Sequence, residues 1–221
     1  GHQTKYLYGE VSKQQKPGLE YGVQVDGKTC IEYAYDLLGR CEKKTQIYPS
    51  GKKKEITYTY VPGAKEGTTT ALVGTITENG KETAYTYDGR GNILEICTKE
   101  LDTGKVTDHM LYTYTGMNQV IREEDAVRGR TFTYAYDLGG NLLENKKYYL
   151  VNGVEELRGT DTYTYSSGWK DQLTSFNGKA ITYDAMGNPL SYMGMNLTWE
   201  KGRQLKTLKK SGTLSQYVYD N

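Results

Sequence analysis

One phrase returns along the whole chain: Tyr-x-Tyr-Asp-x-x-Gly-Asn/Arg, followed by an aliphatic residue. It stands in full at Tyr33-Ala34-Tyr35-Asp36-Leu37-Leu38-Gly39-Arg40, again at Tyr85 to Leu94 and Tyr134 to Leu142, and as Ile181-Thr182-Tyr183-Asp184-Ala185-Met186-Gly187-Asn188. Weaker copies start at Tyr58, Tyr112, Tyr163 and Leu197, and Tyr217-Val218-Tyr219-Asp220 opens a ninth. Successive starts lie 16 to 29 residues apart, the mark of one supersecondary unit repeated with changes of loop length.

Tyrosines at i and i+2 share one face of a strand, whereas in a helix they would point to different faces. Asp-x-x-Gly fits a type I turn: the aspartate side chain accepts from the backbone two residues on, and glycine tolerates the positive φ that follows. A second kind of turn alternates with it, at Asp26-Gly27, Ser50-Gly51, Asn79-Gly80, Asn152-Gly153, Asn177-Gly178 and Ser211-Gly212. Such pairs between strand-like runs are two-residue hairpin turns. The stretch Val61 to Gly67, with its proline and glycines, interrupts the pattern and reads as a loop at one rim. No segment has a persuasive 3.6-residue period. The reading is therefore all-β, an antiparallel meander of hairpins with 16 to 18 strands and essentially no helix. A sheet that wide does not stay flat, and equal repeats favour one curled ribbon over a split into two sheets.

Composition supports this where it is informative. There are 22 tyrosines against two phenylalanines. A one-layer sheet has no deep dry core, so it favours rings whose hydroxyl still reaches water or a polar partner. The 28 basic and 27 acidic residues leave a net charge of +1, without the basic excess of a nucleic-acid binder. No apolar run approaches the ~20 residues of a membrane helix. Three cysteines (Cys30, Cys41, Cys97) and two histidines give neither a disulfide framework nor a metal-ligand spacing, and no cofactor is expected. Residues 1–28 read as a partly irregular N-terminal edge with a processed end at Gly1-His2. Residues 29–221 read as the repeat array, a piece of something longer.

The recurrent aspartates Asp36, Asp88, Asp137 and Asp184 are accounted for by turn chemistry rather than by the paired carboxylates of a glycosidase. The structural motif comprises Tyr33, Tyr35, Asp36 and Gly39; Tyr85, Tyr87, Asp88 and Gly91; Tyr134, Tyr136, Asp137 and Gly140; and Tyr183, Asp184 and Gly187. Gly89-Arg90-Gly91-Asn92 precedes a strand, so no helix N-terminus is there to hold a phosphate. Lys52-Lys53-Lys54 reads as a solvated turn and strand start. Trp169 and Trp199 are the candidates for stacking on a sugar ring, although Trp199 occupies the second-tyrosine position of its repeat. No nucleophile–base pair is visible, and no catalytic residue is assigned.

The repeated phrase, in four full copies, resembles the YD repeat of the Rhs (rearrangement hotspot) family over nearly the whole chain from Thr29. The stretch Ile181 to Leu205 is similar to the wall-associated Rhs proteins of Gram-positive bacteria. The resemblance implies a secreted or cell-wall-associated bacterial protein and a β-strip that spirals into a hollow shell, a β-cocoon. In polymorphic toxins of the family that shell encloses a C-terminal effector. The implied partners are the rest of the parent chain and its enclosed domain. The resemblance also implies carbohydrate binding in adhesion as an alternative role. The family's autocleaving core-associated segment would lie beyond Asn221. An excised ribbon has two unpaired edges, so edge-to-edge self-association is expected.

Overall fold

The computed structural model describes residues 1–220. The backbone is antiparallel β-structure almost throughout, with one 3₁₀ turn over Val11–Lys13 and no α-helix among the described residues. The first strands are β1 Thr4–Tyr8, β2 Glu20–Val25, β3 Lys28–Tyr35, β4 Cys41–Ile47, β5 Lys53–Pro62, β6 Thr69–Glu78, β7 Lys81–Tyr87, β8 Ile93–Glu100 and β9 Val106–Tyr114. There follow β10 Val120–Asp125, β11 Arg130–Tyr136, β12 Leu142–Val151, β13 Val154–Tyr165, β14 Leu173–Phe176 and β15 Lys179–Ala180. The last are β16 Thr182–Tyr183, β17 Pro189–Tyr192, β18 Met195–Glu200, β19 Gln204–Lys210 and β20 Thr213–Gln216. Twenty strands exceed the expected number because β1 and β2 precede the repeat array.

Packing divides the chain into two units: Gly1–Tyr112 with Asp125–Arg128, and Thr113–Glu124 with Gly129 onward. In the first, β1 to β9 are hydrogen-bonded in chain order. In the second, β10 to β15 follow one another in the same way, and β16 to β20 form a separate five-stranded sheet. Neither unit closes into a barrel. The separate sheet departs from the expected single ribbon, and the cause is local. Residues 179–183 form one extended segment whose first half pairs with β14 and whose second half pairs with β17. Between them, the Ile181 amide bonds the Thr174 carbonyl at 2.8 Å. Ile181, 7% exposed, is the one buried apolar side chain among the described residues.

The two turn classes are distinct in backbone conformation. Asp26-Gly27, Asn79-Gly80, Asn152-Gly153, Asn177-Gly178 and Ser211-Gly212 all have both central residues at positive φ, the type I′ requirement that matches strand twist. Ser50-Gly51 does not belong with them. Its turn runs over five residues, with the Tyr48 amide on the Lys52 carbonyl at 2.9 Å and the Gly51 amide on the Tyr48 carbonyl at 2.8 Å. Pro49 supplies the reason: its ring fixes the negative φ that position i+1 of a type I turn needs. One type I′ turn escaped the sequence reading. Met193 and Gly194 join β17 to β18 with φ of 47° and 76°.

No large side chain is fully buried among the described residues. Stability therefore comes from the ladders and from half-buried rings on the sheet face. The middle residue of the repeated phrase points to the other face, where hydroxyls pair across strands: Thr59 with Thr75 at 2.8 Å and Thr198 with Thr207 at 2.6 Å.

A methionine in the left-handed region is strained, and asparagine tolerates it better. Met193→Asn is expected to stabilise the chain by roughly 0.5–1 kcal/mol, read as a rise in Tm. An unchanged or lower Tm would refute the turn assignment.

Candidate functional site

The four full repeats build the same turn. In the third, the Asp137 amide bonds the Asn141 carbonyl at 2.9 Å and the Gly140 amide bonds the Asp137 carbonyl at 3.1 Å. One carboxylate oxygen of Asp137 accepts the Gly139 and Asn141 amides at 2.9 and 2.8 Å, and the other accepts the Asn141 side chain at 2.8 Å. Asp88 with Asn92 and Asp184 with Asn188 repeat this pattern. Arg40 takes the asparagine's place beside Asp36. The glycines Gly39, Gly91, Gly140 and Gly187 have φ between 82° and 89°, the αL position that follows a type I turn in a three-residue hairpin loop.

These contacts set the carboxylates' charge state. The side-chain amides of Asn92, Asn141 and Asn188 are the leading cause holding Asp88, Asp137 and Asp184 below the ordinary carboxylate value of 3.8, with backbone amides adding to them. At Asp36, desolvation pulls upward, but hydrogen bonds from Arg40 and Leu38 and the Arg40 charge outweigh it.

The residue after the glycine does more than begin a strand, which was all the sequence suggested. Asn188 also donates to the Gly202 carbonyl in the next turn at 2.7 Å, and Asn141 donates to the Lys170 carbonyl at 3.1 Å. Arg40 reaches Thr69 at 3.0 Å and the Thr70 carbonyl. Its recurrence as Asn or Arg was the available clue. Arg40, Asn141 and Asn188 thus each tie their own turn to the neighbouring one.

A second fastener joins the repeats, and it explains the second tyrosine of the phrase. Opposite Tyr35, Tyr60, Tyr87, Tyr136, Tyr165, Tyr183 and Trp199 the returning strand carries an extra residue. Tyr35 pairs with Cys41 and Ala34 with Lys43, leaving Glu42 as a bulge. The same slip leaves out Gly74, Leu94, Leu143, Thr174, Leu190 and Lys206. The residue before the bulge lies outside the ladder to the next strand. The β12–β13 ladder, for instance, begins at Glu144 with Thr162 and leaves Leu142 out.

The carbonyls left open in this way are filled by the next repeat's second aromatic. Tyr60 donates to Cys41 at 2.8 Å, Tyr87 to Val73 at 2.8 Å, Tyr165 to Leu142 at 3.0 Å and Tyr183 to Leu173 at 2.6 Å. Tyr35 reaches Glu20 at 2.5 Å, Tyr136 reaches Val120 at 2.8 Å and Tyr219 reaches Leu205 at 3.1 Å. Burial raises the phenols of Tyr35, Tyr60, Tyr87, Tyr136, Tyr165 and Tyr183, so they remain protonated donors.

Trp199 makes the same contact with an indole. Its Nε1–H donates to the Pro189 carbonyl at 2.7 Å and its ring is half-buried. Trp169 is different. Its ring is exposed, lies against Gly187, and with Asp171, Gln172, Leu173 and Tyr183 lines a concavity of about 300 Å³. The first tyrosines of the phrases play a packing role, with Tyr33 beside Tyr35 at 6.4 Å and Tyr134 reaching Glu123 at 3.2 Å. His109 pairs with Glu95 at 2.7 Å on neighbouring strands, and Cys30, Cys41 and Cys97 are unbridged. The lysine run divides: Lys54 pairs with Glu78 at 2.5 Å, while Lys52 and Lys53 are exposed. Among the described residues no three His, Cys, Asp or Glu side chains gather as a metal would require. The arrangement as a whole fastens strand to strand and turn to turn.

No family model matches the chain, and no curated protein does. Solved structures do. The chain is similar to part of the Tc holotoxin pore of Photorhabdus luminescens carrying a TccC3 mutation, with TM-score 0.54 and 16% identity over 86% of this chain and 11% of that one. It is also similar to part of a TcdB2–TccC3–TEV structure, with TM-score 0.56 and 16% identity, covering 91% and 12%. A TcdB2–TccC3 structure gives TM-score 0.52 and 15% identity, covering 94% and 14%. The likeness is one of fold, and the chain spans about an eighth of the length of these toxin chains.

Tyr136→Phe removes one donor and leaves the Val120 carbonyl open. The expected cost is about 1 kcal/mol, or a Tm lower by ~2–4 °C. Tyr85→Phe, whose hydroxyl holds no carbonyl among the described residues, should leave Tm nearly unchanged. Equal effects would refute the fastener.

The aspartates' depressed folded values mean that their stabilisation is present above the ordinary value of 3.8 and is lost as pH falls through the lower folded values. Thermal unfolding is therefore expected to be level from neutral pH down to about 4 with respect to these groups, then to drop. In Asp88→Asn that drop should be smaller and the plateau lower.

Proposed function

We propose that the chain is a non-enzymatic structural segment of a larger, secreted or cell-wall-associated bacterial Rhs-type protein, forming part of a wall around a C-terminal effector. The observation that carries this reading is the fastening of one repeat to the next, by an aromatic donor on an open carbonyl and, at Arg40, Asn141 and Asn188, by a side chain on the next turn. It spends the recurrent chemistry of the phrase on joining neighbours, which is what a wall needs. The fold likeness to chains of Tc toxins, of which this chain spans a small part, supports the same reading. The partners are then the rest of the parent chain and the domain it encloses.

A second reading, a carbohydrate-binding surface module, is favoured by one feature: the exposed Trp169 ring with Asp171 and Gln172 beside it. In the wall reading, titration calorimetry with neutral oligosaccharides gives no heat down to millimolar affinity. Saturable binding that Trp169→Ala abolishes would favour the second reading. In the intact parent, limited proteolysis should spare the region C-terminal to the repeats and attack it once Tyr87→Phe and Tyr136→Phe are combined. Equal cleavage before and after would refute the wall.

A further inference from the structure

The hairpin ahead of the legible array is a copy of the repeat in its backbone, though not in its turn sequence. Tyr6-Leu7-Tyr8 has tyrosines two apart, but a longer loop, Glu10 to Gly18, replaces Asp-x-x-Gly after it. The backbone nevertheless closes as in the full repeats. The Gly9 amide bonds the Leu19 carbonyl at 2.8 Å, as the Asp137 amide bonds that of Asn141 at 2.9 Å. Tyr8 pairs with Glu20 and Leu7 with Gly22, which leaves Tyr21 as the bulge. The Glu20 carbonyl beside that bulge takes the Tyr35 phenol at 2.5 Å. Tyr8 therefore stands where Tyr35, Tyr60 and Tyr136 stand in their own repeats.

Tyr8 differs from them in one respect. Its side chain is 57% exposed, and its hydroxyl has no hydrogen-bond partner among the described residues. Strand β1 is bonded on one side only, to β2. In the other copies the strand on the far side is a returning strand, and the carbonyl its bulge leaves open receives the aromatic donor. Eight such carbonyls, from Glu20 to Leu205, each hold a phenol or the Trp199 indole of this same chain. A second copy therefore has none of these eight to give to Tyr8. Strands β1 to β9 are bonded in chain order, and short connections keep consecutive strands adjacent. The strand next in line at the open edge of β1 is thus the one that precedes it in sequence. We infer that the outer edge of β1 seats a bulged returning strand from the preceding hairpin of the parent chain, whose open carbonyl the Tyr8 phenol closes. This inference rests on the reading of the chain as a segment of a larger protein. It gives an exposed edge, otherwise open to any passing strand, one occupant set by register and by a waiting donor.

Hydrogen exchange on the 221-residue chain and on the intact parent tests it. In the chain alone, the β1 amides that do not bond β2 are expected to exchange freely. In the parent they should slow by about tenfold or more. Tyr8→Phe should cost the parent about fivefold of that protection, the effect of one lost hydrogen bond, and should change nothing in the chain alone. Tyr35→Phe, whose acceptor Glu20 lies within the chain, should loosen β2 and β3 in both. Cross-linking through Lys5, exposed on β1, should return a residue from the stretch just before Gly1. Equal β1 exchange in chain and parent would overturn the inference. So would protection that Tyr8→Phe leaves intact, or a Lys5 cross-link made only to another copy or to a separate protein. Limited proteolysis reads the wall independently. A protected β1 with a C-terminal region cut equally before and after the Tyr87→Phe and Tyr136→Phe changes would retire the wall and leave this contact standing. A spared C-terminal region with a freely exchanging β1 would do the reverse.

Discussion

The structure rests on an open backbone carbonyl and the aromatic donor that closes it. A bulge beside the turn that follows the repeated phrase takes one carbonyl out of the ladder, and a buried polar group without a partner costs about 1–3 kcal/mol. The next repeat supplies the partner as a phenol, or as an indole at Trp199. The bulge that bends the strand and the bond that holds the next strand are thus one device. Phenylalanine could fill the same space but could not make the bond, which is the physical reason for tyrosine at positions 35, 60, 87, 136, 165, 183 and 219.

The same economy governs the turns. One carboxylate gathers two amides and a side chain, and that side chain goes on to the adjoining turn. Each repeat therefore contacts its neighbours through fixed bonds rather than through a shared interior. Stability in such an array is close to a sum of repeat and neighbour contributions. This accords with a chain in which Ile181 is the one buried apolar side chain among the described residues. The fold is similar to parts of much longer chains.

Much of this was legible in the residues. Tyrosines two apart, aspartate three before glycine and the Asn-Gly pairs are local signals whose physics is local, and the hairpins formed where those signals stand. Three features were misread or missed. The Tyr48–Lys52 turn has the five-residue form because Pro49 is in it. Met193, beside Gly194, turns at a positive φ that methionine does not favour, because the pairing of β17 with β18 imposes it. The segment around Ile181 changes partner sheet, although its sequence is one of the clearest copies of the phrase.

The sequence by itself determined the hairpin, its turn chemistry and its repetition, because each depends on atoms a few residues apart. Only the tertiary structure decided which carbonyl each tyrosine meets and where the bulges fall. Each tyrosine meets a carbonyl 10 to 23 positions away that strand register brings to it, and register is a property of the assembled sheet rather than of any one strand.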